Sequence, residues 1–143
     1  MSGESFLDSN IFIYTFDDVA LEKQRVAQEL VRTALQDGSG VISYQVTQEV
    51  LNVLTRKLPQ SMDVGDATRY LATTLEPLWR VQPSAELFRA GLALKARHRF
   101  GLYDSLIVAA ALSAGCARLY SEDFQHGQRI EGLTIEDPFR KSE

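Results

Sequence analysis

Four acidic residues stand where apolar segments of the chain end or begin. Asp8 closes the segment ESFLD, Glu49 lies in QVTQEVLNVL, Asp104 opens YDSLIVAAAL, and Asp123 follows RLYSE. If these segments form a parallel sheet with crossover helices, the carboxyl ends of the strands share one edge, and ligand crevices open along that edge. The spacing therefore predicts a cluster of carboxylates at one edge of a sheet.

Carboxylates that are gathered in this way require a cation. Two carboxylates about 4 Å apart repel by about 4 kcal/mol at an effective dielectric of 20, so several remain ionised together only around a positive charge. Oxygen ligands without cysteine or paired histidine favour a hard ion, Mg²⁺ or Mn²⁺. Such an ion activates water and neutralises a phosphate during in-line attack. The pattern predicts metal-assisted hydrolysis of a phosphodiester.

Each acid taken alone has a simpler interpretation. Asp8 and Asp123 suit turns, and Asp104 in the first turn of a helix gains about 0.3–1 kcal/mol from the helix dipole. Glu49 lies about 40° beyond Val53 at ~100° per residue, which places it at the border of the buried face of its helix. An interaction domain whose acids are only caps therefore stays open as an alternative.

Apolar runs bounded by turn residues predict the elements that must position these acids. The predicted strands cover residues 5–7, 41–43, 78–81, 118–121 and 133–135. The predicted helices cover residues 21–35, 45–58, 63–75, 84–99 with Ser84 as N-cap, and 103–114, after a crossover that begins at 11–16. Strands that alternate with helices imply βαβ units and a mostly parallel sheet. We predict an α/β sandwich made of a single domain over residues 1–143.

The composition is that of a soluble globular protein, with 45% apolar and 24% charged residues among 143. The segment MSGESFLDSN does not resemble a signal peptide, and the longest uncharged stretch, residues 106–117, is shorter than the ~20 residues that span a bilayer. The one cysteine, Cys116, cannot form an intramolecular disulfide. These features favour a cytoplasmic protein with no membrane partner.

The charge of the chain is unevenly distributed. A net charge of −4 argues against unspecific adhesion to nucleic acid. Five basic residues nevertheless crowd residues 89–99, and Arg56 with Lys57 forms a second small cluster. The acidic site would repel a polyanion without its metal ions, which reconciles a negative protein with an RNA substrate.

The segments FLDSNIFIY, QEVLNVL, YDSLIVAAAL and LYSEDFQHGQ together resemble PIN-domain ribonucleases, specifically the toxin half of VapBC-type toxin–antitoxin pairs. The resemblance spans nearly the whole chain. It implies a PIN-type three-layer α/β/α sandwich with a central, mostly parallel sheet.

The same resemblance implies roles for individual residues. Asp8, Glu49, Asp104 and Asp123 match the acidic quartet of the family, which coordinates one or two Mg²⁺ or Mn²⁺ ions. By the resemblance, the three aspartates are the nearer ligands, and Glu49 acts through water or as a base. Three further residues are expected to orient these carboxylates: Asn10, Ser105 and Ser121.

The resemblance also implies a function and partners. The chain would be a metal-dependent endoribonuclease, the toxin of a type II toxin–antitoxin system, with an RNA substrate, a cognate antitoxin and a second copy as partners. The alternative is a non-catalytic PIN-like or receiver-like interaction or signalling domain. A receiver requires a lysine after a late strand, but only Lys141 follows residues 133–135, and an aspartyl phosphatase requires Asp where Asn10 stands.

Trp79, Phe88 and Tyr103 are expected in the core or at a dimer surface.

Overall fold

One mixed sheet forms the centre of the fold. The computed structural model describes residues 3–58 and 61–141. The strands are β1 (Ser5–Leu7), β2 (Gly40–Ser43), β3 (Trp79–Val81), β4 (Arg118–Tyr120), β5 (Arg129–Ile130) and β6 (Leu133–Glu136). Their order across the sheet is β3-β2-β1-β4-β6-β5, and every pair is parallel except β5 with β6.

Helices connect the strands and cover the sheet. They are α1 (Ser9–Tyr14), α2 (Leu21–Asp37), α3 (Tyr44–Arg56), α4 (Val64–Tyr70), α5 (Ala85–His98) and α6 (Leu102–Ser113), and a π-helical turn (Leu71–Leu75) extends α4. None of the helices in the described part of the chain has both the length and the apolar composition that a membrane span requires. The predicted fold class, an α/β sandwich with a mostly parallel sheet, is confirmed.

The apolar composition of the central strands explains their position. All residues of β1 and β2 are buried, as is typical of parallel strands that carry helices on both faces. Gly40 opens β2 under α2, and a Cβ atom there would lie 2.5 Å from Ala34 Cβ and 3.2 Å from Leu78 Cδ2. Glycine is therefore the residue that lets α2 pack this closely on the sheet.

Helix α6 lies in the core, as its apolar sequence predicts. All residues from Ser105 to Ala111 are buried, which agrees with a helix that is apolar on every side. Helix α5 packs against it closely, because a Cβ on Gly91 would lie 2.7 Å from Leu106 Cδ2. The buried body of α6 fixes its first turn, and thereby Asp104, beside the sheet.

The direction of the chain across the sheet reverses beside β1. From β1 the chain proceeds to β2 and β3 on one side, and it then returns to β4 on the other side of β1. Strands β1 and β4 pair in parallel with Leu7 opposite Tyr120, and the Asp8 amide donates to the Tyr120 carbonyl at 3.0 Å. A crevice outside the carboxyl ends of two such strands is the usual ligand site of open α/β sheets.

Several predicted bounds differ from the structure. The first helix begins at Ser9 rather than at residue 11, because the Asp8 side chain caps it. The predicted helix 63–75 is α4 followed by the π-helical turn. Strand β5 was not predicted, since two residues are too short for a periodic signal. The predicted N-cap is confirmed, because the Leu87 amide donates to Ser84 Oγ at 3.0 Å.

Candidate active site

Asp8 occupies the switch point between β1 and β4. Its backbone is extended, at φ −72° and ψ 164°, and Oδ1 accepts a hydrogen bond from the Ser9 amide at 2.8 Å, which makes Asp8 the N-cap of α1. Oδ2 accepts a second hydrogen bond from Ser121 Oγ at 2.7 Å. Only 3% of Asp8 is exposed. The first predicted acid is therefore a buried carboxyl group that is held at both oxygens.

The turn after β4 carries two further predicted residues. The buried Ser121 Oγ, which donates to Asp8, also accepts from the Asp123 amide at 3.0 Å. Asn10 Nδ2 donates to Asp123 Oδ2 at 3.1 Å, and Asn10 Oδ1 accepts from the Glu122 amide at 3.4 Å. The structure thus joins Asp8, Asn10, Ser121 and Asp123 in one hydrogen-bonded set across 113 positions of sequence.

Glu49 reaches the same region from α3. Ser43 caps this helix, and the buried Val46 and Val50 set its inner face, so that Glu49 is half-buried at the border of that face. Gln45 Nε2 donates to Glu49 Oε2 at 3.3 Å and to the Tyr103 carbonyl at 3.1 Å. Gln45 therefore ties the carboxylate of Glu49 to the first turn of α6, a contact that the sequence analysis missed. Its position one helical turn before Glu49 was the available signal.

The electrostatics of Asp8 show how crowded this edge is. Burial raises the pKa of Asp8 from 3.8 to about 7, although the hydrogen bonds from Ser121 and Ser9 oppose the rise. Repulsion from Asp123 and Glu49 raises it further. Ionising Asp8 is therefore costly unless a positive charge is near.

Asp104 responds to the same neighbours. It is half-buried in the first turn of α6, and burial raises its pKa, with repulsion from Asp123 and Glu49 as the next causes. Asp8 and Asp104 are thus both repelled by the carboxylates of Asp123 and Glu49. The structure brings all four predicted acids to one edge of the sheet.

The four acids do not form a closed set of ligands in this arrangement. Within residues 3–58 and 61–141, no group of three or more His, Cys, Asp or Glu side chains is placed so that it could hold a metal ion. The chemistry of the donors nevertheless fits a hard divalent cation, because they are carboxylate oxygens that repel one another.

Ser105 gives a second indication of that fit. It follows Asp104 in α6 and is fully buried, and its Oγ is the one buried side-chain polar atom in the described residues without a hydrogen-bond partner. Buried hydroxyl groups are nearly always satisfied, so the unpaired Oγ of Ser105, one residue after Asp104, is an exception that a polar ligand would remove only if the hydroxyl faces the acids. The structure shows no bond from Ser105 to a carboxylate, in contrast to Asn10 and Ser121.

Comparison with known proteins identifies the class to which this fold and site belong. The model of the PIN domain family matches residues 5–129. The chain therefore belongs to the PIN-domain family, and the predicted family is confirmed.

Three solved structures share the fold. A toxin–antitoxin complex from Klebsiella pneumoniae has a TM-score of 0.66 at 17% identity and covers 92% of this chain and 96% of its own. VapC20 from Mycobacterium tuberculosis, a sarcin–ricin loop cleaving toxin, has a TM-score of 0.60 at 19% identity, with 84% and 90% covered. VapBC2 from Rickettsia felis, bound to a DNA fragment from its promoter, has a TM-score of 0.63 at 17% identity, with 92% and 96% covered. No curated protein matches the chain.

The raised pKa of Asp8 predicts how the stability of the metal-free protein varies with pH. The pKa of Asp8 is higher in the folded protein than in the unfolded chain, so the fold is most stable when this group is protonated, at a pH below the unfolded pKa. This stability is lost as the pH rises through the folded pKa of about 7. Between pH 5 and pH 8 the free energy of unfolding should fall by about 2–3 kcal/mol through Asp8 alone, at 1.36 kcal/mol per pKa unit.

Asp8→Asn should remove this part of the pH dependence, as measured by urea denaturation in the presence of a chelator. Asp17→Asn is the control. Hydrogen bonds from the Ala20 and Val19 amides lower the pKa of Asp17, so Asp17 stays ionised from pH 5 to pH 8, and its variant should follow wild type. Identical pH profiles for wild type and Asp8→Asn would contradict the prediction.

Proposed function

We propose that this protein is a metal-dependent endoribonuclease and the toxin of a type II toxin–antitoxin system. The observation that carries the proposal is the buried carboxyl group of Asp8, bonded through Ser121 to the turn of Asp123 and repelled by Glu49, in a chain of the PIN-domain family. The fold that the chain shares with VapC20, with VapBC2 and with the toxin–antitoxin complex supports it. The buried free thiol of Cys116 agrees with action in the cytoplasm.

The acids would hold one or two Mg²⁺ or Mn²⁺ ions, with Asp8, Asp104 and Asp123 as ligands and Glu49 as a base or a ligand through water. A divalent ion bound there would supply charge neutralisation for the phosphate and a more acidic water molecule. The protein's own residues keep the carboxylates in place. The Ser121 hydroxyl and the Ser9 backbone amide donate to Asp8 and orient its carboxyl group. The side-chain amide of Asn10 donates to Asp123 Oδ2 at 3.1 Å and orients that carboxylate.

Glu49 has the surroundings of a base. Its carboxylate is half-exposed, and Gln45 is the one hydrogen-bond donor that reaches it among the described residues. This leaves the group accessible to water, whereas Asp8 is enclosed. Glu49 would accept the proton of the attacking water, with Gln45 keeping it beside the first turn of α6.

An RNA strand would find its positive contacts at the end of α5. The last turn of this helix carries Lys95, Arg97 and His98, and Arg99 follows in a left-handed conformation at φ 61°. Arg97 pairs with Glu131 at 3.1 Å, whereas no carboxylate of the described residues forms a salt bridge with Lys95 or Arg99. Only the short connection to α6 separates Arg99 from the acidic edge. Phosphates beside the scissile bond would bind these cations.

The apolar surface beside the site suits a homodimer. A cleft of about 240 Å³ lies between α3, α5 and α6, and four exposed apolar side chains line it: Tyr44, Phe88, Leu102 and Tyr103. Phe88 and Tyr103 were predicted in the core or at a dimer surface; they are 45% and 69% exposed, so they do not lie in the core, and the dimer surface stays a prediction. Aromatic residues around an apolar cleft are typical of the buried centre of protein interfaces.

An antitoxin would inhibit the enzyme at the acidic edge. An arginine side chain from the antitoxin would form charge-assisted hydrogen bonds with the same carboxylates that hold the metal ions. Asp123 is the most exposed of the four acids and would be the first contact. Inhibition would then have a direct electrostatic basis, in which the arginine competes with the metal.

Asp104→Asn tests the catalytic proposal. The variant keeps the shape of the side chain and removes a proposed ligand, so cleavage should fall at least about 100-fold, while the free energy of unfolding changes by less than about 1 kcal/mol. Cleavage is measured on end-labelled RNA with Mn²⁺ and with purified, antitoxin-free protein. The products should carry a 5′-phosphate and a 3′-hydroxyl, as attack by water requires.

Asp66→Asn is the matched control, because Asp66 is also an acid in the first turn of a helix but lies exposed on α4. This variant should cleave like wild type. Products with a 2′,3′-cyclic phosphate would contradict the mechanism, since they arise from attack by the 2′-hydroxyl of the RNA. Retained activity in Asp104→Asn with a large loss of stability would support a purely capping role.

The dimer proposal predicts the mass in solution. A chain of 16.0 kDa should sediment at about twice that mass, and Phe88→Asp should shift it to the monomer, because a charge on the apolar surface of the cleft cannot be paired there. Val64→Asp is the control, since Val64 is also apolar and exposed but lies on α4. A monomeric wild type in sedimentation equilibrium would contradict the dimer.

A further inference from the structure

Glu122 lies between two residues of the candidate active site, but its side chain is bound elsewhere. Glu122 Oε2 accepts a hydrogen bond from Lys23 Nζ of α2 at 2.6 Å, and Oε1 accepts one from the Tyr14 hydroxyl of α1 at 2.7 Å. Lys23 Nζ also donates to the Tyr14 hydroxyl at 3.2 Å. Three side chains from separate elements thus meet at Glu122, in the middle of the turn that carries Ser121 and Asp123.

Aromatic rings shelter this contact. Lys23 Nζ lies 4.8 Å from the centroid of the Tyr14 ring and 5.8 Å from that of Phe139, and the two rings are 4.7 Å apart. The side chains of Lys23 and Glu122 are 38% and 28% exposed. Burial alone would raise the pKa of Glu122, but the hydrogen bonds from Lys23 and Tyr14 outweigh it and lower that pKa. The pair is therefore an ordered contact with several partners.

A local ion pair within α2 offers a contrast on the same helix. Arg25 and Glu22 lie three positions apart and are 68% and 71% exposed, so their contact is local and solvated. Such pairs contribute about 0–1 kcal/mol to stability. The Lys23 pair instead joins positions that are 99 residues apart.

The turn is consequently held by two sets of contacts, which we call inner (made by Ser121 and Asn10) and outer (made by the Glu122 side chain). On the inner side, Ser121 Oγ bonds to Asp8, and Asn10 bonds to the Glu122 amide and to the Asp123 carboxylate. The bond from the Glu122 amide is long, at 3.4 Å, so the inner contacts alone leave the middle of the turn weakly held. The outer contacts fix the same residue through its side chain.

We propose that Lys23, Glu122 and Tyr14 form an outer latch that positions Ser121 and Asp123 for binding of a divalent cation. This inference rests on the proposed function. The three residues do not touch the reacting atoms and act through the turn that they hold. A displacement of about 1 Å at a group that orients a reaction can lower the rate about 10²-fold. The latch can therefore affect activity even where its effect on the stability of the fold is small.

The test compares Lys23→Met with Arg25→Met, which removes an exposed ion pair on the same helix. With the full chain, free of antitoxin and metal, calorimetric titration with Mn²⁺ should show about tenfold weaker binding for Lys23→Met and no change for Arg25→Met, as is usual when a supporting residue of a metal site is lost. Lys23→Arg should recover most of the affinity. On RNA, kcat should fall in Lys23→Met while KM stays near the wild-type value.

Hydrogen exchange provides a readout that does not depend on metal or cleavage. The Asp123 amide donates to Ser121 Oγ, so loosening the turn should speed exchange at Glu122 and Asp123 in metal-free Lys23→Met but not in Arg25→Met. Equal exchange in the two variants, or Mn²⁺ affinities within twofold of each other, would overturn the latch. If wild type neither binds Mn²⁺ nor cleaves RNA, the proposed function fails, and the exchange comparison alone still decides whether the latch holds the turn.

Discussion

The hydrogen bond from Ser121 Oγ to Asp8 is the contact on which the candidate active site depends. It joins the carboxyl ends of β1 and β4, the two strands between which the chain reverses direction across the sheet. Because both residues are buried, losing the bond would leave two buried polar groups without a partner. The position of Asp123 follows from it, since the Asp123 amide donates to the same hydroxyl.

The same edge concentrates negative charge at a cost to the metal-free fold. A buried carboxyl group that is raised to a pKa of about 7 and is repelled by two others destabilises the folded state at neutral pH. A structural role alone would be served equally well by an asparagine at position 8, which would cap α1 without that cost. The cost is understandable if these residues are retained for binding a cation, as functional sites commonly conflict with stability.

The sequence contained enough information to predict which residues meet at this edge, but only for those that follow a regular pattern. Asp8 and Asp123 end parallel strands, and Asp104 opens an apolar helix, so the geometry of a βαβ fold gathers them. Glu49 could be placed from the helical stripe of Val46 and Val50. All four positions follow from local periodicity together with one general property of parallel sheets.

Contacts that join distant positions by side chains could not be predicted in this way. Nothing in the sequence around Lys23 indicates that it reaches Glu122, because α2 is amphipathic and a lysine at its border is normally solvated. The strand order was also hidden, since it depends on how the whole chain packs. Strand β5 gave no signal because it has only two residues; its pairing with β6 is made by a turn through Glu131 and Gly132, both with positive φ.

The pairing of Glu122 with Lys23 also separates two kinds of acid in one short turn. Glu122 and Asp123 are adjacent, yet the first is neutralised by a lysine on the outer side and the second faces the carboxylates on the inner side. If Glu122 were unpaired, a fifth negative charge would lie beside the cluster and raise the cost of ionising Asp8 still further. Lys23 therefore limits the charge at this edge to the four acids that the sequence pattern indicated, and the turn can be rigid without adding to their repulsion.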